Sequence, residues 1–322
     1  MPLRQLLLAA VVIFWVLGGV AAVAHDGFKA KRSPGDGNRT RPIVYLHGFD
    51  LTAPGESNCR GVWGDRDQGF IGRMVDWGHR GPQQRVKYYR EDSECTLDLH
   101  HHGKHRRHHS SGHRRGGHTV RTSIRHLGYH FAWQIWSHYS KQGIRVNVVA
   151  HSMGGLIVRY ALARTQRGHR RFPPRLLIAN VVTLGTPHKG APLAAFCDIS
   201  EHRQCNQMDP RSGFIRWLRR RAKNPQGAGG TDWTTVGSRC CDLPTPNSDG
   251  VVPVTSAVGM RSRHKVYYLE SNEIGHSGYY RDLSRRRNAN VRWKDRRRHS
   301  HRWYSAPHVA RWTEHALRGR RW

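Results

Sequence analysis

Residues 145–155 read RVNVVAHSMGG, and this stretch decides the fold. Arg145 to Val149 are rich in β-branched residues and alternate in β fashion, which predicts a buried strand. Ala150, His151, Ser152, Met153 and Gly154 follow, and Gly155 opens an apolar run, Leu156 to Leu162, that reads as a helix. A strand that becomes a helix around one serine must bend sharply. Bulky side chains two positions either side of that serine would clash, and Ala150 and Gly154 are small. The pattern is G-x-S-x-G with Ala150 in place of the first glycine, and its required strand and helix are both present.

Working outward, Pro42 leads into Ile43-Val44-Tyr45-Leu46, a buried strand that ends in a turn at His47-Gly48-Phe49. Arg85 to Tyr89 reads as a second strand. Between residues 120 and 140 the pattern turns helical, with Ile124, Leu127, Phe131, Ile135 and Tyr139 at three- and four-residue steps. Beyond the serine helix, Leu176 to Leu184 is an apolar strand running into Gly185-Thr186-Pro187-His188. Residues 190–230 read as loops and short helices over one face. Short strands are predicted at Thr234–Gly237 and Val266–Leu269, and a basic, Trp-containing loop over 285–302. Ala306 to Leu317 closes the chain as an amphipathic helix with Pro307 in its first turn. Strands alternating with helices predict a mostly parallel central sheet of about six strands, with helices on both faces.

The remaining segments are not core. Arg4 precedes an uncharged apolar run from Leu6 to Ala24, and Ala22-Val23-Ala24 is a small-x-small cleavage site. Residues 1–24 are therefore expected to be an export signal, with an uncleaved membrane anchor as the alternative. Residues 25–40 read as a polar tether and 41–322 as one domain. That domain carries a His/Arg-rich insertion at 99–118 and a basic carboxy-terminal segment. The insertion, HHHGKHRRHHSSGHRRGGH over 100–118, has no apolar periodicity and is expected to be exposed and mobile, with no functional metal role. Six cysteines fit an oxidising compartment. Cys59 with Cys95 and Cys197 with Cys205 are plausible pairs, a bond between the adjacent Cys240 and Cys241 is expected to be too strained, and the full pairing stays open. No C-x-x-C spacing supports a cysteine zinc site.

The net charge is +32, from 45 Arg and 9 Lys against 22 acidic residues. Such a surface favours anionic partners, and loose binding to anionic lipid or cell-wall polymers is expected. No helix-turn-helix, zinc-finger or RNA-binding signature gives the charge a nucleic-acid geometry, so nucleic acid is not expected as a partner. Oligomeric state stays open.

A serine hydroxyl is a poor nucleophile at neutral pH. It needs a histidine to take its proton, a carboxylate to orient that histidine, and amide donors for the oxyanion. The parts occur in the order Ser152, Asp249, His276. Asp249 lies in SDGVVP after the strand ending at Gly237, with Asp242 as a rival, and His276 lies in NEIGHSGYY, within its uncharged Ile-Gly-His-Ser-Gly stretch. His151 is expected to point away from the hydroxyl, and His47 to anchor its turn. The oxyanion donors are expected to be the backbone N–H groups of Met153 and Phe49.

VYLHGF, VVAHSMGGLIVRYAL, VVTLGTPHKG, DGVVP and GHSGYY, in this order, resemble bacterial secreted lipases and esterases of the α/β-hydrolase superfamily. The resemblance covers most of residues 41–284. It implies an α/β-hydrolase fold and a serine hydrolase acting on carboxylic esters, often acylglycerols, without an organic cofactor; no metal site is expected. It also implies Ser152 as nucleophile, His276 as base, Asp249 as orienting acid, and Phe49 and Met153 as oxyanion donors. Two other readings remain open here: an acyltransferase on the same scaffold, and a cationic surface-binding protein on a non-catalytic one. Acyl-chain length, headgroup preference and lid identity are not legible.

Overall fold

The computed structural model describes residues 37–49, 55–99, 118–196, 202–269, 274–283, 287–293 and 299–319. The apolar amino-terminal run, most of the tether, residues 100–117 of the insertion, and Cys197 lie outside these residues.

The strands are β1 (Ile43–Leu46), β2 (Gln83–Lys87), β3 (Leu97–Asp98), β4 (Val146–His151), β5 (Ile178–Leu184), β6 (Asp232–Ser238), β7 (His264–Tyr268), β8 (Arg287–Trp293) and β9 (Ser300–Ala306). They form one sheet in the order β3-β2-β1-β4-β5-β6-β7-β8-β9. Pairing is parallel from β3 through β7 and antiparallel for β8 and β9. The sheet therefore has nine strands among the described residues, against about six expected. Two of the additional strands form a hairpin where a basic loop was expected. In β8, Ala289 and Val291 are buried while Asn288, Asn290 and Arg292 are not, so the period of two was present beneath the charge.

The helices are α1 (Cys59–Trp63), α2 (Gly69–Asp76), α3 (Ile124–His138), α4 (Met153–Gln166), α5 (Arg203–Met208), α6 (Gly213–Arg221), α7 (Val254–Ala257), α8 (Gly278–Arg281) and α9 (Val309–Leu317). Both faces of the central strands are covered, which is why β1, β4 and β5 are mostly apolar and buried along their whole length. Val44 and Leu46 of β1 face one cluster with Leu127 and Phe131 of α3 and Leu156 of α4. Ile43 and Tyr45 face the other, with Phe70 and Met74 of α2 and Val309 and Leu317 of α9. The chain leaves β1 toward β2 on one side and returns as β4 on the other. That reversal makes the carboxyl ends of β1 and β4 the topological switch point, where open α/β sheets bind ligands.

Cys59 and Cys95 are disulfide-bonded, with Cα atoms 5.2 Å apart. Cys240 and Cys241 are also bonded to each other, which corrects the expectation for that pair. Among the described residues, no helix is long and apolar enough to cross a membrane.

Three histidines, His79, His151 and His188, are buried away from water. Burial is the largest influence on each and pushes its pKa down from the ordinary 6.5, to about 4 for His79 and well below 6.5 for the other two. Each stays neutral in the folded chain while the unfolded chain binds a proton below 6.5, so stability falls as pH falls through that value. The slope is about 1.4 kcal/mol per pH unit for each such histidine. Urea unfolding should give a lower free energy at pH 5 than at pH 7.5. His79→Gln should flatten the profile between pH 6.5 and about 4, and an unchanged profile would remove His79 from this account.

Candidate active site

Strand β4 delivers Ser152 to the switch point in a conformation that L-residues seldom adopt, φ 51° and ψ −128°. Backbone strain of this kind costs on the order of 1–3 kcal/mol and persists only where the surroundings fix it. The Ser152 N–H donates to Leu184 O of β5 at 2.8 Å, which pins the bend. A Cβ on Gly154 would lie 2.6 Å from the His47 carbonyl oxygen, so the tight turn needs a glycine there. Ser152 occupies the position before α4 where a serine usually caps the helix, yet its hydroxyl makes no capping bond. Its Oγ lies 2.9 Å from Nε2 of His276 instead.

His276 comes from the loop after β7, and its Nδ1 is 2.9 Å from Oδ2 of Asp249, which follows β6. The other Asp249 oxygen accepts from the Val251 and Val252 N–H groups at 3.0 and 2.7 Å. With its carboxyl wholly buried, Asp249 has one position. Asp242 is exposed and, among the described residues, accepts from the Asn247 N–H at 3.2 Å. A carboxylate at Nδ1 places the ring proton there and leaves the Nε2 lone pair facing the hydroxyl.

His151 does turn away from the hydroxyl, and it has a task that the sequence did not disclose. Its Nε2–H donates to the His276 backbone carbonyl at 2.8 Å, fixing the loop that carries His276. The low pKa imposed by burial keeps the ring neutral in that role.

The turn after β1 runs against the serine: a Cβ on Gly48 would lie 2.7 Å from Ser152 Cβ. Phe49 and Met153 therefore flank Ser152 on two sides, one after Gly48 and one at the first position of α4. Among the described residues, neither backbone N–H has a protein acceptor. For Met153 this follows from helix geometry, since the first four N–H groups of a helix lack intrahelical partners. Behind the turn, His47 is stacked on Tyr88 with ring centroids 4.0 Å apart. Its Nε2 donates to Asp92 Oδ2 at 2.9 Å, and the same oxygen accepts from the Tyr88 and Tyr89 N–H groups at 2.9 and 2.8 Å. Asp92 is the anchor of the turn. Sequence reasoning missed it because its contact to His47 spans 45 positions, and nothing local marks such a partner.

The cleft above Ser152 and His276 is lined mainly by apolar side chains, among them Phe49, Leu193, Met208, Val251 and Val252. Apolar walls with few polar groups fix the orientation of an apolar ligand and exclude water.

Residues 77–195 match the model of the family described as "Putative serine esterase (DUF676)". This span includes Ser152 and ends before Asp249 and His276. No curated protein sequence matches the chain. Among solved structures, the chain is similar to Bacillus licheniformis lipase BlEst2 in its mature form, at 15% identity and a TM-score of 0.49, covering 76% of this chain and 89% of that one. It is similar to the lin2722 product of Listeria innocua at 11% identity and a TM-score of 0.43, over 74% of this chain and 87% of that one. It is also similar to lipase 1 from Pelosinus fermentans at 15% identity and a TM-score of 0.40, over 74% and 92%.

Proposed function

We propose that the protein is a serine ester hydrolase that cleaves carboxylic esters with apolar acyl groups through an acyl-enzyme on Ser152. The observation that carries this reading is the unbroken line of contacts from Ser152 Oγ through His276 to Asp249, 2.9 Å at each step. The matching of residues 77–195 to a serine esterase family supports the reaction class. The apolar cleft supports the acyl specificity.

In the proposed reaction, His276 Nε2 takes the Ser152 proton as Oγ attacks the ester carbonyl carbon. The carbonyl oxygen becomes an oxyanion held by the Phe49 and Met153 N–H groups, a contribution worth roughly a hundred- to a thousand-fold in rate per donor. Protonated His276 then gives its proton to the leaving alkoxide, the C–O bond breaks, and the alcohol departs. Water, deprotonated by His276, attacks the acyl carbon and releases the acid and Ser152. Asp249 holds the imidazole in the required tautomer and stabilises its charged form. The Cys59–Cys95 disulfide supports export to an oxidising compartment. The net charge of +32 supports loose attraction of the enzyme to anionic lipid or wall polymers.

The test is turnover of p-nitrophenyl esters of graded acyl length, with and without a primary alcohol acceptor. Free acid should form in stoichiometric yield without any acceptor. Formation of product only when the alcohol is present would make the protein an acyltransferase. No turnover of any ester by folded protein would end the reading.

A further inference from the structure

The sequence suggested no metal role, and the reaction just described requires none. Away from Ser152, however, three histidines converge. His126 and His130 stand one turn apart on α3, and residues four apart on a helix share a face. His118 comes from the chain just before the helix. Its backbone is held in place, since its carbonyl accepts from the Arg90 N–H at 2.9 Å and Thr119 O accepts from Gln204 Nε2 at 3.1 Å. The donor nitrogens of all three rings lie within 4.8 Å of one another. His118 and His130 are buried, 3% and 6% exposed, and His126 is half-buried at the mouth of the cluster.

We propose that His118, His126 and His130 bind one late first-row transition-metal dication, zinc above all, as a structural site. The donor set decides the class. Imidazole nitrogens suit zinc, copper and nickel, whereas calcium and magnesium require oxygen ligands that this cluster does not offer. Three protein ligands leave a fourth position for water, and the half-buried His126 gives the ion a path in.

The distances fit after small ring rotations. Tetrahedral metal–nitrogen bonds of about 2.0–2.1 Å set donor separations of roughly 3.4 Å. The Nε2 atoms of His126 and His130 are 2.9 Å apart, so they open by a few tenths of an ångström, and the separations to His118, all within 4.8 Å, close. Ring centroids only 4.4 to 5.2 Å apart already bring the three rings into one cluster. The chain's charge of +32 opposes a dication. That repulsion is screened beyond about 8 Å at physiological salt, whereas metal–ligand bonds act at contact.

The site's position assigns its role. His118 ends the His/Arg-rich insertion and forms a bridge with Tyr89, beside the Asp92 anchor, while His126 lies in the first turn of α3. A bound ion would fasten the end of the insertion to α3 and to the end of β2. No catalytic step passes through it.

The insertion contains seven further histidines, His100, His101, His102, His105, His108, His109 and His113, which bind metals weakly and must be separated from the cluster. Two full-length variants do this: one with those seven replaced by Ser, and one carrying His126→Gln and His130→Gln. Each is stripped with EDTA, dialysed and titrated with zinc chloride, with binding stoichiometry and Tm as readouts. The seven-Ser variant should keep one tight zinc per chain and gain several degrees in Tm. The His126→Gln/His130→Gln variant should lose both, with affinity at least tenfold weaker, and should keep ester hydrolysis within about twofold. Should the double variant fail to fold, cobalt chloride added to the seven-Ser variant supplies the second reading, as visible absorption of a tetrahedral imidazole site. A folded seven-Ser variant that binds no zinc tightly, or a double variant that retains the tight zinc and its Tm gain, would overturn the proposal.

Discussion

Ser152→Ala and His276→Ala should each lower ester hydrolysis to the uncatalysed background, a loss on the order of a million-fold in kcat. The first removes the oxygen that becomes acylated and the second the base that activates it. Because either alone abolishes the same step, the double variant should be no worse than the singles. Multiplying losses would mean that the two side chains act independently, which their 2.9 Å contact argues against. Both changes remove atoms from a cleft and break no core packing, so the folded state should survive, as circular dichroism would show. Ser152→Ala bears the stronger consequence: retained turnover in that variant would contradict the mechanism at its root.

The second large effect separates two aspartates. Asp249→Asn should cost roughly ten-thousand-fold in kcat, because an amide at that place favours the wrong imidazole tautomer. Asp242→Asn should stay near wild type. The geometry behind this contrast is specific. Asp249 is buried, held by the Val251 and Val252 N–H groups, and touches His276 Nδ1, whereas Asp242 is exposed and accepts from the Asn247 backbone N–H. Steady-state kinetics on the two purified variants decides it. Full activity in Asp249→Asn, with activity lost in Asp242→Asn, would move the orienting role while leaving the serine chemistry in place.

The parts of the molecule that were legible in its sequence share a physical cause. Strands β1, β4 and β5 are buried on both faces, so their sequences are mostly apolar and contain no Lys, Arg, Asp or Glu. The chemistry around Ser152 was legible because a sharp strand-to-helix turn constrains its neighbours to be small, and because Asp249 and His276 follow in chain order, each after a strand. Strand β8 was hidden because its outward Asn288, Asn290 and Arg292 outweigh the inward Ala289 and Val291, and β9 because Ser300, His301, Arg302 and Trp303 are all exposed and show no buried period. Strand β3, two residues long, is too short to carry any period.

Asp92 and the His151 contact to the His276 carbonyl depend on partners 45 and 125 positions away in sequence, and spacing says nothing of such partners. The histidine cluster was obscured for another reason. His118 looks like the last residue of a low-complexity tract, and two helical histidines do not stand out in a chain with 24 of them. The Cys240–Cys241 bond is not legible because neighbouring cysteines carry no spacing signal that sets a bonded pair apart from two unbonded ones.

The central claim is that Ser152 is the atom that becomes acylated, and one measurement addresses it without assuming a substrate. The folded protein is treated with a fluorophosphonate and digested, and its peptides are mapped by mass spectrometry. The account predicts a single stoichiometric adduct on Ser152, absent from the Ser152→Ala variant and strongly slowed in His276→Ala. An adduct on a different serine, or folded wild-type protein that takes up no label, would contradict it.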